Sequence, residues 1–74
     1  MGIPVPKSGF VEQLTRLRRS SGSRWTNQDR TRYFEWDPLH GEFEVYNTNG
    51  RHLGAVDPTG TFIKPAKKGR RIDV

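Results

Sequence analysis

Between Arg32 and Tyr46 the chain alternates apolar and polar residues with period two, breaks, and alternates again. Arg-Tyr-Phe-Glu-Trp-Asp (32–37) and Glu-Phe-Glu-Val-Tyr (42–46) each put successive side chains on opposite faces, as half-buried strands do. Pro38, Leu39, His40 and Gly41 lie between them, and Pro and Gly favour turns. The stretch predicts a β-hairpin. With Asp37 opposite Glu42, Glu35 faces Glu44 and Tyr33 faces Tyr46 on one side of the ribbon. Trp36 with Phe43, and Phe34 with Val45, make an apolar strip on the other.

The rest of the chain is arranged around this ribbon. Gly2 to Gly9, with its prolines and glycines, reads as an extended lead-in. Phe10, Val11, Leu14 and Leu17 recur at helical spacing with Ser8 placed to cap them, which predicts a short helix from Gly9 to about Arg19. A helix of that length is marginal in water and has to dock. Ser20 to Ser23 reads as a flexible joint. Arg24 to Asn27 predicts a short strand, and Asn47-Thr48-Asn49-Gly50 a turn. Arg51 to Val56 predicts a strand with Leu53 inward, and Asp57-Pro58-Thr59-Gly60 a tight turn. Thr61 to Lys64 predicts a strand stopped by Pro65, and a basic tail leads to an edge strand around Ile72. The expected core is Trp25, Phe34, Trp36, Phe43, Val45, Leu53, Phe62 and Ile63. Strands at this spacing with turns between them describe an antiparallel meander. The expected class is α+β, mainly β, with a short N-terminal helix. Residues 1–23 form the lead-in and 24–74 the main unit of one compact domain.

Composition narrows the picture. The 74 residues contain no cysteine and two histidines without a close pairing, so neither a disulfide frame nor a structural zinc site is expected. No metal or cofactor is expected, no apolar run approaches a membrane span, and the chain is expected to be a monomer. Net charge is +5, and its distribution says more than its size. From Tyr33 to Asp57 five acids (Glu35, Asp37, Glu42, Glu44, Asp57) stand against one base, Arg51. Arg16, Arg18, Arg19, Arg24, Arg30 and Arg32 precede that segment; Lys64, Lys67, Lys68, Arg70 and Arg71 follow it. An acidic centre between basic flanks suits a polyanion gripped on both sides of a carboxylate site. It equally suits flanks that fold over the acidic face and neutralise it.

The polar face of the hairpin carries four carboxylates and two phenols, with His40 at the turn. Like charges directly opposite one another in a sheet cost a few tenths to about 1 kcal/mol per pair. Folding alone does not require them. They are a solvated strand face, or a site in which groups with separated pKa values do acid and base work beside a phosphate.

From Arg24 onward the residues resemble one family. Arg24-Trp25-Thr26 is followed by Phe34-Glu35-Trp36-Asp37-Pro38-Leu39-His40-Gly41-Glu42-Phe43-Glu44-Val45-Tyr46, then Gly50-Arg51-His52-Leu53-Gly54 and Asp57-Pro58-Thr59-Gly60. This string is similar to the cytotoxic C-terminal domain of the ribosome-inactivating ribonuclease colicins and cloacin, a module also borne by related pyocins and contact-dependent inhibition toxins. The resemblance runs from Arg24 to about Ile72. It does not extend over the predicted helix, and the chain is one residue shorter around Pro58-Thr59.

The resemblance implies a strongly twisted antiparallel sheet and a metal-independent endoribonuclease that cuts 16S ribosomal RNA at the decoding site. It implies catalytic roles for Asp37, His40, Glu44 and Arg70, with Glu35 and Glu42 as further site carboxylates. Metal-free RNA cleavage needs a base for the 2′-hydroxyl proton, an acid for the leaving 5′-oxygen and a cation at the phosphorane. Glu44 suits the base, His40 the acid, Arg70 the cation and Asp37 the orientation of His40; Glu44 and His40 could exchange roles. Tyr33 and Tyr46 are expected on the active face, able to stack on bases. Arg71, Lys67, Lys68, Arg16, Arg18 and Arg19 are expected to bind phosphates. His52, beside a turn, reads as structural. The resemblance further implies the bacterial ribosome as target, delivery from a producer cell into another bacterium's cytoplasm, and a cognate, acidic immunity protein. The competing reading is a non-catalytic RNA- or ribosome-binding module of the same fold.

Overall fold

The structure is a computed structural model that describes residues 2–18 and 23–74. One helical turn, α1 (Gly9–Glu12), is followed by β1 (Thr15–Leu17), β2 (Arg24–Thr26), β3 (Arg32–Asp37), β4 (Glu42–Asn47), β5 (His52–Val56) and β6 (Phe62–Pro65). The strands form a single antiparallel sheet in the order β1-β2-β3-β4-β5-β6, so the meander expected from the turn spacing is the observed topology. The sheet curls strongly enough for the Arg32 guanidinium on β3 to lie 5.7 Å from the ring centre of Phe62 on β6.

The central hairpin has the register that its alternation predicts: Tyr33↔Tyr46, Phe34↔Val45, Glu35↔Glu44, Trp36↔Phe43 and Asp37↔Glu42. Its apolar face is the core. Trp25, Phe34, Phe43, Val45 and Val56 are buried together, and Phe10, Val11, Leu14, Trp36 and Leu53 pack against them. Phe43 is the hub, edge-to-face with Trp25 at 5.5 Å and Trp36 at 4.8 Å. Such geometry sets the positive ring edge against the negative ring face.

Three expectations need correction. The helix stops at Glu12, and Thr15 to Leu17 instead pair with Thr26 to Arg24. An isolated short helix leaves most of its backbone groups unpaired, whereas the open edge of β2 offers partners for them. Ser8 does cap α1, accepting the Val11 N–H at 3.2 Å, and its hydroxyl donates to the Pro58 carbonyl at 2.6 Å. Phe62 and Ile63 are about half exposed rather than core, because β6 is an edge strand that overruns the apolar layer. No strand forms around Ile72; the tail makes one bridge, Arg51↔Arg71, and the Ile72 N–H bonds the Gly50 carbonyl at 2.9 Å. Gly50, at φ 80°, permits that approach, since a side chain there would run into the Ile72 carbonyl. The joint predicted at Ser20 to Ser23 lies, except for Ser23, outside the described residues.

Candidate active site

The polar face of the hairpin becomes a site because β3, β4 and β5 each contribute to it. The turn after β3 is tied by the Gly41 N–H to the Asp37 carbonyl at 2.8 Å, with Gly41 at φ 68°. That turn brings His40 back over Asp37. The His40 ring meets Asp37 Oδ2 through Nδ1 at 2.7 Å, while Asp37 Oδ1 accepts the amides of Leu39 at 3.0 Å and His40 at 3.2 Å. Burial alone pushes the Asp37 carboxyl up, but the hydrogen bonds from the His40 side chain and from the His40 and Leu39 amides outweigh it. The carboxyl therefore titrates below its ordinary value and is ionised at neutral pH. An ionised Asp37 keeps the proton on Nδ1, leaving Nε2 of the half-exposed ring for a substrate.

Glu44 is buried, two residues along β4 from Glu42. Its Oε1 lies 2.7 Å from His52 Nε2 and 3.4 Å from Arg70 Nη1. The other ring nitrogen of His52 accepts the Lys67 amide at 2.8 Å. An acceptor at Nδ1 puts the proton on Nε2, so His52 donates to Glu44. Arg70 also hydrogen-bonds Tyr46, whose hydroxyl is held above its ordinary pKa first by burial. Glu42 is paired with Lys64 at 2.9 Å. Asp37, Glu42 and Glu44 gather carboxylate oxygens within 4.8 Å of one another, and these are the described residues that could hold a cation. Each of the three also faces a cation or a ring N–H: His40, Lys64, and Arg70 with His52. That pairing offsets the repulsion expected of facing carboxylates.

A cleft of about 70 Å³ is lined by Asp37, His40, Glu42, Glu44, His52, Lys64, Lys67 and Arg70 among others. A larger one of about 570 Å³ adjoins it, lined by Arg51, Lys67, Lys68, Arg70 and Arg71 with His52 as shared wall. Fixed carboxylate, imidazole and guanidinium in one cleft, with a cationic channel beside it, can move protons on a phosphodiester while holding its charge.

Of the residues singled out in the sequence, Asp37, His40, Glu42, Glu44, Arg70 and Lys67 come together. Lys68 and Arg71 line the adjoining channel. Glu35 shares the face but is drawn to Arg24, which is buried and donates Nε–H to Glu35 Oε2 at 2.8 Å. Arg24 also anchors the tail through the Asp73 carbonyl at 2.6 Å. Tyr33 lies under that guanidinium, 5.7 Å from its ring centre. Tyr46 is 2% exposed, too enclosed to stack on a base in this arrangement. Arg16 and Arg18 are three strands from β4; Arg16 lies over Trp25 at 5.8 Å and bonds Ser23. Arg19 is outside the described residues. Lys64 and His52 were not expected in the site. Thr61-Phe62-Ile63-Lys64 does not alternate and gives no face for Lys64, whereas an inward Leu53 puts its neighbour His52 on the opposite face without saying which side chain it meets.

A family model described as Cytotoxic matches residues 4–73, and thus includes the N-terminal segment that the motifs alone left unmatched. Colicin E3 of Escherichia coli is 43% identical over 82 aligned residues, with 93% of this chain covered. Cloacin of Escherichia coli is 42% identical with 95% of the chain covered, and colicin-E6 38% with 93%. The chain spans about 15% of the length of each of these relatives. On the match from residue 4 to residue 73, the chain belongs to the Cytotoxic family.

Proposed function

We propose that this chain is the catalytic unit of a bacterial toxin endoribonuclease that cuts 16S ribosomal RNA at the decoding site and so stops translation. The observation that carries the reading is the convergence of Asp37, His40, Glu44 and Arg70 on one cleft. Membership of the Cytotoxic family, with relatives named as colicins and cloacin, supports the toxin assignment.

The chemistry is transesterification. Glu44 takes the proton of a ribose 2′-hydroxyl, and the oxygen attacks the adjacent phosphorus. His40, oriented by Asp37, gives a proton from Nε2 to the leaving 5′-oxygen. Arg70 holds the charge that builds on the phosphorane. The products are a 2′,3′-cyclic phosphate and a free 5′-hydroxyl. Lys67, Lys68 and Arg71 bind flanking phosphates, which gives affinity without reading sequence.

Such an enzyme is lethal to its maker. The reading therefore includes a cognate immunity protein, acidic to match the net charge of +5, and delivery from a producer cell into the cytoplasm of a target bacterium. The test is incubation of the chain with intact bacterial ribosomes in EDTA, followed by gel analysis of the RNA. One short fragment from the 3′ end of 16S RNA is expected. Intact RNA with the protein cosedimenting would instead indicate a binding module.

A further inference from the structure

We propose that His52 is a positioning residue for catalysis, holding Glu44 with one ring nitrogen and the loop that carries Arg70 with the other. The proposal rests on the acid–base reading of the same cleft.

The strand pairing brings His52 to the site by an irregularity. On β4 and β5, Phe43 pairs with Val56, Glu44 with Ala55 and Val45 with Gly54. An unbroken ladder would next set Leu53 opposite Tyr46. The register instead shifts after Val45, and Tyr46 pairs with His52. The extra residue turns Leu53 toward the core, where it packs, and turns His52 onto the face of Glu44. Bulges re-aim side chains in this way, and they concentrate beside active sites.

The ring is then held on both sides. Nδ1 accepts the Lys67 amide at 2.8 Å, which puts the proton on Nε2, and Nε2–H donates to Glu44 Oε1 at 2.7 Å. The backbone N–H of His52 donates to the Arg70 carbonyl at 3.1 Å, and the Arg70 N–H closes the turn onto the Lys67 carbonyl at 3.2 Å. One residue therefore fixes the carboxylate and both ends of the Lys67–Arg70 turn. The side chain is 2% exposed and its ring is tilted against Tyr46 at 5.2 Å, so it has little freedom to release either partner. His52 touches neither phosphate nor leaving group in this scheme; it acts through Glu44 and Arg70. Its ring tautomer is opposite to that of His40, whose Nδ1 faces a carboxylate.

Two substitutions separate the two bonds. His52→Asn keeps an acceptor near Nδ1 for the Lys67 amide but has no donor to reach Glu44. His52→Gln keeps a donor near Nε2 but loses the acceptor. Ribosome cleavage is followed as kcat and KM, with thermal melting of each variant. His52→Asn is expected to lower kcat about tenfold or more with KM little changed, the scale of one lost hydrogen bond to a charged group. His52→Gln is expected to lower kcat as well, because the freed turn no longer fixes Arg70 at the phosphorane, and to raise KM, because the same turn carries Lys67 and Lys68. If both variants melt earlier yet cut at the wild-type kcat where folded, the role is structural and the proposal is overturned.

Ring ¹⁵N shifts of the wild-type protein give a readout that does not depend on folding of a variant. A neutral ring protonated at Nε2 is expected; the opposite tautomer, or a doubly protonated ring, overturns the proposal. An inactive wild-type chain removes the ribonuclease reading and this proposal together. An active wild type with His52→Asn at full kcat removes this proposal alone.

Discussion

Asp37 spends both carboxylate oxygens on its own turn: Oδ2 on His40 Nδ1 at 2.7 Å, and Oδ1 on the Leu39 and His40 amides. The same contacts that shape the turn thus fix the His40 tautomer. Asp37→Asn keeps the shape but replaces the charged acceptor with an amide. Ribosome cleavage by Asp37→Asn, followed as an initial rate at neutral pH, is expected to fall roughly a hundredfold, the scale of losing one acid–base function. His40→Ala is expected to fall at least as far. Its side chain is 54% exposed, so its melting temperature should stay close to wild type.

Glu42 and Glu44 share a face of β4 but not a role. Glu44 meets His52 and Arg70, whereas Glu42 meets Lys64. In single-turnover cleavage, Glu44→Gln is expected to lose about a hundredfold or more, as for a general base. Glu42→Gln is expected to lose less than about tenfold, since general acid–base loss is the larger effect. Equal losses would mean that the two carboxylates work as a unit.

Asp37 and Tyr46 bound the stability of the fold against pH from opposite sides. The folded-state pKa of Asp37 is lowered, so its contribution is complete above the ordinary value of 3.8 and is lost as pH falls through the folded value. That of Tyr46 is raised, by burial first, so its contribution is complete below the ordinary value of 10.0 and is lost as pH rises through the folded value. Denaturant midpoints measured across pH should show both limbs. Asp37→Asn should flatten the acid limb and Tyr46→Phe the alkaline one.

Phe43 is fully buried and touches the rings of Phe10, Trp25, Phe34 and Trp36. Phe43→Ala is expected to cost about 3–5 kcal/mol, a large part of the roughly 5–15 kcal/mol that holds a small domain. Circular dichroism melts should show a chain that is unfolded or nearly so at 37 °C. Phe62→Ala, on the half-exposed edge strand, should shift the melt far less.

The central hairpin was legible in the sequence because period-two alternation fixes which residues share a face, and Pro38 to Gly41 fix where the chain turns. The full register of Asp37, Glu42, Glu35, Glu44, Tyr33 and Tyr46 followed from it. The end of α1 was not legible. Leu14 and Leu17 fit a helical stripe, but pairing of Thr15 to Leu17 with the open edge of β2 is a non-local gain that local spacing does not report. Burial of Phe62 and Ile63 was overestimated: as strand neighbours they take opposite faces, so both cannot enter one core, and on the edge strand neither is covered. Reading Leu53 as inward puts His52 on the opposite face, but the bulge that brings that face to Glu44 is a pairing feature that local spacing does not report. Tyr46 was assigned to the right face, but its enclosure beside His52 and Arg70 depended on the β5 pairing and the tail.

Glu44, His40 and Arg70 are proposed to cleave RNA by proton transfer and charge stabilisation without a metal. The most direct measurement is the chemistry of the two new ends, made by cutting ribosomes with the chain in excess EDTA and analysing the short 3′ fragment and its partner by mass spectrometry. The expected result is cleavage undiminished by the chelator, with a 2′,3′-cyclic phosphate on the upstream RNA and a 5′-hydroxyl on the fragment. A 5′-phosphate with a 3′-hydroxyl, or cleavage abolished by EDTA and restored by a divalent cation, would contradict it. The second outcome would turn attention to the cluster of Asp37, Glu42 and Glu44 as a metal site.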